Sequence, residues 1–85
     1  MYYTYIIFSE SLQQYYRGST QNIANRLAEH NAGETQSIKH GCPWKLVGYL
    51  TYSTRAEAMQ KEKQIKGRGI KRWLEYRISY LELCN

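Results

Sequence analysis

The chain has little cysteine, with only Cys42 and Cys84 among 85 residues. A disulfide framework or a thiolate zinc centre draws on more cysteines at closer spacing, so the pair reads as free thiols of a reducing compartment with no disulfide partner. Pro43 is the single proline, and no linker, internal repeat or low-complexity segment is visible. Long apolar runs are missing too, and nothing approaches the length needed to cross a membrane. The first residues, Met1 to Tyr5, have neither the basic start nor the apolar stretch of a secretory leader. The expectation is a soluble cytoplasmic protein. Acidic residues are also few, seven against twelve lysines and arginines, for a net charge of +5. That surplus fits a polyanionic partner, most simply nucleic acid, and it also fits a surface kept basic for solubility.

What the chain does have is tyrosine, nine of them. A tyrosine buries a large ring and keeps a polar tip, so a small domain can use it at the margin of a core or in a site. Length allows one domain over residues 1–85 with a modest core.

Residues 2–8 are aromatic or β-branched throughout and predict a strand covered on both faces. A short polar turn leads into a second strand, Tyr15 to Ser19, antiparallel to the first. Alternation puts Tyr16 and Gly18 on one of its faces and Tyr15 and Arg17 on the other. Thr20 to Asn22 offers N-caps for a helix ending near Asn31, where Asn31-Ala-Gly33 is a fitting stop. Glu34 to Pro43 reads as a polar loop, and Trp44 to Tyr52 as a third strand. Thr54 with Glu57 three residues on is a capping box, opening a helix to about Lys66. Ile70, Trp73, Leu74, Ile78 and Leu81 mark a third helix. The fold class is α+β: a small three-stranded antiparallel sheet flanked by helices, in the order β-β-α-β-α-α.

The stretch from Tyr16 to His30 concentrates chemistry. It holds a phenol, a glycine and a short helix with Arg26 and His30 one turn apart. Ile23 and Leu27 form that helix's buried stripe, and Arg26 and His30 fall beside it, at the margin of the core. On the second helix Ala58, Met59 and Ile65 form the apolar arc, and Glu62 falls in its middle. A carboxylate there is costly unless paired or bound to a metal. The readings are a buried ion pair with Arg26 or a lysine, a carboxylate at the stripe's edge with its head in water, or a site completed by Arg26, His30 and two tyrosines.

These residues resemble the GIY-YIG nuclease superfamily, most closely its small stand-alone bacterial group. The first motif half falls on Tyr3-Thr4-Tyr5, with Tyr3 where the motif has glycine. The second falls on Tyr16-Arg17-Gly18, with arginine for isoleucine. Arg26-Leu27-x-x-His30 matches the family's helix, Pro43-Trp44-Lys45-Leu46 the start of its third strand, and Ala58-Met59-x-x-Glu62-x-x-Ile65-Lys66 the helix of its metal-binding glutamate. The asparagine that several family nucleases carry downstream has no match, since only Asn85 follows Glu62.

The resemblance implies metal-dependent hydrolysis of a phosphodiester in one strand of DNA, branched or damaged, in repair or recombination. Glu62 would hold a single divalent cation, Mg²⁺ or Mn²⁺, with waters filling the shell. Arg26 would clamp the phosphate. Tyr5 or Tyr16 would activate the water, its pKa brought down by the metal and Arg26, with His30 as proton partner. Gly18 would let the backbone turn tightly and approach the substrate. Ser19 reads as a turn residue or a phosphate contact. Lys39, Lys45, Lys66, Arg68, Lys71 and Arg72 are the remaining candidates for the DNA backbone, the last four around a glycine-flanked turn. The alternative is a catalytically weak or inactive nucleic-acid-binding module on the same fold.

Overall fold

A strand apolar on both sides belongs in the middle of a sheet, where layers on both faces take its side chains out of water. The computed structural model, which describes residues 1–70 and 82–83, puts it there. β1 (Tyr2–Ser9) lies between β2 (Gln14–Thr20) and β3 (Trp44–Tyr52) and is antiparallel to both. The expected three-stranded sheet is therefore the body of the fold. A two-residue β4 (Glu82–Leu83) adds to β3 opposite Gly48 and Tyr49, giving the order β2-β1-β3-β4.

Each face of β1 meets a different helix. On one face Tyr5 and Ile7 are buried with Trp44 and Ile38, joined by Tyr16, Leu46, and Ile23 and Leu27 of α1 (Ile23–Asn31). On the other face Ile6 is buried against Ile65 of α2 (Arg55–Arg68), with Tyr15, Val47, Leu50 and Ile70 around them. Thr4, also on that face, donates from Oγ1 to the Ala58 carbonyl at 2.7 Å. The result is three layers with the sheet in the centre.

The helix starts follow the expected caps. Asn22 accepts from the Asn25 N–H at 3.0 Å, and Thr54 accepts from the Glu57 N–H at 3.3 Å. Gly33 turns the chain away from α1 at φ +78°, and Gly69 does so after α2 at φ +86°. Two expectations change. The stretch read as a polar loop holds a 3₁₀ segment, Gln36–Gly41, whose Ile38 is buried and whose Ile38 carbonyl accepts from Trp44 Nε1 at 2.9 Å. One apolar residue in a polar run has no period to reveal it. Met59 is 41% exposed, so the buried positions of α2 are Ala58 and Ile65. The third helix lies, beyond Ile70, outside the described residues.

Candidate active site

Register decides which side chains meet. Tyr5 is directly opposite Gly18 and Ile7 is opposite Tyr16, so both tyrosines and the glycine share the face covered by α1. The Tyr5 ring lies over Gly18. A Cβ at that position would sit 2.6 Å from Tyr5 Cζ, closer than real contacts allow. Gly18 is buried in mid-strand. Gly18 is therefore not in the expected tight turn, and its missing side chain makes room for the phenol.

The phenol reaches α1. Tyr5 Oη is 2.8 Å from His30 Nε2, and His30 Nδ1 is 2.9 Å from Thr35 Oγ1. The imidazole is fully buried rather than marginal, because the chain after α1 folds back over it and the Tyr16 ring stands edge-on at 5.9 Å. Burial first, and then the nearby positive charge of Arg26, hold its pKa below the usual 6.5. Both partners are hydroxyls that can donate or accept, so either neutral tautomer satisfies the two contacts; in one of them Nδ1–H donates to Thr35 and Nε2 accepts from the phenol.

Arg26, half-exposed on α1, lies beside the same phenol. It also pairs with Glu29 at 3.4 Å, a partly exposed i,i+3 contact of the kind that contributes little and that an incoming anion can replace. Within the protein's own groups, without a bound cation, the expected lowering is not reached at Tyr5. Burial raises it and outweighs Arg26, while Tyr16 and Glu62 add to the rise, so the phenol stays protonated at neutral pH. Arg17, on the opposite face, brings its guanidinium to 5.5 Å from the Tyr16 ring centroid.

Glu62 arrives from the other side of the sheet. Half-buried on α2, it accepts from Ser19 Oγ at 3.3 Å. Among the described residues it forms no ion pair with Arg26 or with a lysine. Ser19 is correspondingly a β2 residue bonded to the carboxylate rather than a turn residue. Among the described residues β1 is the one strand beside β2, so phenol and carboxylate flank this strand at Gly18 and Ser19. They are close enough for the Glu62 charge to act on Tyr5. The chain contains no aspartate, and the described residues include no cluster of three or more His, Cys, Asp or Glu. One carboxylate beside a hydroxyl, open to water, suits a hard cation that keeps most of its hydration shell.

The other basic candidates are scattered. Lys39 is exposed on the 3₁₀ segment and Lys66 on α2. Lys45 is exposed and paired with Glu10 at 3.0 Å. Arg68 closes α2, and Lys71 and Arg72 lie outside the described residues. Thr35 was not among the sequence candidates. It sits in a polar stretch with no periodicity, and only the fold-back of that stretch over His30 gives it a part.

A family model described as the GIY-YIG catalytic domain matches residues 1–75. The chain belongs to the GIY-YIG family. Its motif halves lie in β1 and β2, where they pair Tyr5 with Gly18. Among GIY-YIG relatives, the chain is 38% identical over 68 residues to a UPF0213 protein of Haloquadratum walsbyi, covering 76% of this chain and 73% of that protein. It is 36% identical over 66 residues to UPF0213 proteins of Natronomonas pharaonis and Staphylococcus haemolyticus, in each case over 76% of this chain, and over 76% and 79% of theirs. The GIY-YIG family is one of nucleases. No helix among the described residues is long and apolar enough to cross a membrane.

Proposed function

We propose that the protein is a metal-dependent endonuclease that hydrolyses a phosphodiester in one strand of DNA, acting in the cytoplasm in repair or recombination. The observation that carries the reading is the Tyr5–His30 hydrogen bond, 2.8 Å long, with Arg26 beside it and Glu62 across the strand. Arg26 exchanges Glu29 for the scissile phosphate and stabilises charge on its nonbridging oxygens. Tyr5, rather than Tyr16, is the proton acceptor, because only its hydroxyl has a base behind it among the described residues. As water attacks phosphorus, its proton passes to Tyr5 Oη, and the phenol proton passes to His30 Nε2. In this step Thr35 accepts from Nδ1–H, which leaves Nε2 open to the phenol proton. Tyr16 packs the ring in place. Glu62 would hold Mg²⁺ or Mn²⁺, which when bound supplies polarisation of the phosphate and charge neutralisation at the leaving 3′ oxygen.

Glu62→Ala and Arg26→Ala are expected to abolish nicking of flaps, forks and supercoiled plasmid with Mg²⁺ or Mn²⁺, a fall of at least about a hundredfold for loss of one charge-stabilising group. Tyr5→Phe should do the same while leaving binding intact. If contaminant-free wild-type protein leaves all three substrates whole with either metal, the enzyme reading fails. A binding module without catalysis is the second reading, favoured by the sequence departure downstream of Glu62, where Asn85 is the one asparagine. It predicts DNA binding that survives Glu62→Ala together with no cleavage.

A further inference from the structure

At the start of α2, beside the candidate active site, lies an open cleft of about 440 Å³. Tyr2, Ser19, Thr20, Gln21, Asn22 and Arg55 line it. None of these is acidic and none is aliphatic, so the lining differs from that of an ordinary apolar ligand pocket. The cleft on the opposite face contrasts with it, since Ile23, Leu27 and Leu46 line that one and it has no charged residue. Arg55 is exposed and has no carboxylate within ion-pair distance among the described residues. Ser19 is the shared wall, since its hydroxyl bonds Glu62 at 3.3 Å. Whatever fills the cleft therefore touches a residue that touches the proposed metal ligand.

The lining groups divide by task. Thr20 bonds the Asn22 backbone and Asn22 caps α1, so both are spent on holding the wall in shape. A guanidinium, a half-buried phenol ring and the exposed Gln21 amide remain for a ligand. A cation, an aromatic face and an amide in one polar cleft match a phosphate, a base and a base edge.

We infer that this cleft is the subsite for one nucleotide of the cleaved strand, the one adjoining the scissile phosphate. The inference rests on the nuclease reading for its place in the reaction. Arg55 holds the nucleotide's outer phosphate, the Tyr2 ring lies against its base, and Gln21 gives a weak base preference. The strand thus runs past Glu62 toward the beginning of α2.

Thymidine 3′,5′-bisphosphate titrated into the ¹⁵N-labelled full chain without metal tests the subsite directly. Amide shifts are expected at residues 19–22 and 55. Arg55→Ala should weaken binding about tenfold, as for loss of one charge-assisted phosphate contact. Tyr2→Ala should weaken it at least about fivefold and Tyr2→Phe hardly at all, since the ring and not the hydroxyl does the stacking. Lys63→Ala removes the same charge from an exposed site on α2 and should stay within about twofold, because distant exposed charges are screened. Arg55→Lys, which keeps the charge and loses the fork, should fall between wild type and Arg55→Ala, and it covers the case in which Arg55→Ala does not fold. In a cleavage assay Arg55→Ala should raise KM with little change in kcat. Equal effects of Arg55→Ala and Lys63→Ala in both assays, or shifts centred on Arg26 instead, overturn the subsite and leave the nuclease reading standing. Arg55-dependent binding at the cleft by a chain that cleaves no DNA overturns the nuclease reading and leaves the subsite.

Discussion

A buried imidazole between two hydroxyls is sensitive to acid. The His30 pKa is depressed below 6.5 in the fold, so as pH falls below about 6.5 the unfolded chain takes up a proton that the folded chain refuses. Stability from this group is complete above pH 6.5 and is lost as pH drops toward the folded-state pKa. Urea unfolding at stepped pH from 7.5 to 5 should show a declining midpoint in the wild type and a flatter one in His30→Gln. At Gly18 the prediction is steric. Gly18→Ala drives a methyl into the Tyr5 ring and should cost about 1–3 kcal/mol, the range for overpacking, together with cleavage, since the phenol must move off His30; chemical denaturation and a nicking assay read the two effects. The chemical types were legible before the structure, because Arg26 and His30 sit one turn apart and Glu62 interrupts an apolar arc. Their partners were not. That Gly18 serves Tyr5, that Ser19 serves Glu62 and that Thr35 serves His30 each depends on register or fold-back, which local spacing does not contain.

Elements with strong local signals lie close to where the sequence puts them. β3 spans Trp44–Tyr52 as expected, and α1 begins after the Asn22 cap. α2 begins after Thr54, whose hydroxyl also donates to Glu57 Oε1 at 2.9 Å. Thr54→Ala should lower stability by about 1 kcal/mol, the usual cost of losing an N-cap, and Thr54→Ser should recover most of it, as read by thermal unfolding. Elements without a periodic signal escaped. The 3₁₀ segment Gln36–Gly41 has one buried aliphatic residue, and β4 is two residues long. Both are defined by what they pack or pair against. The Asn31 side chain shows the same dependence: it bonds both the N–H and the carbonyl of Trp44 and so ties the end of α1 to the start of β3.

Across the whole molecule, the sheet separates two half-sites. One face carries Tyr5, Tyr16, Arg26 and His30, the other carries Glu62, and the outer strand β2 is where they come within reach. Topology therefore sets the site's position more than any single motif does, and the α+β order gave no warning that α1 and α2 would lie on opposite faces. A net charge of +5 adds a long-range pull on a polyanion. If Arg26, Arg55 and Lys66 each neutralise one phosphate, the logarithm of the binding constant should fall with the logarithm of salt at a slope of about −2.7, from roughly 0.9 per contact. Fluorescence anisotropy on the Glu62→Ala protein checks this without cleavage.

The seating of Tyr5 over Gly18 also governs how such a chain can change by descent. No larger residue can enter position 18 until the ring at position 5 has shrunk or moved, and on the proposed mechanism loss of that ring ends the proton path. The two positions, thirteen residues apart, therefore behave as one inherited unit. On that reading exposed α2 positions without a part in the site, such as Gln60 and Lys63, carry no such constraint.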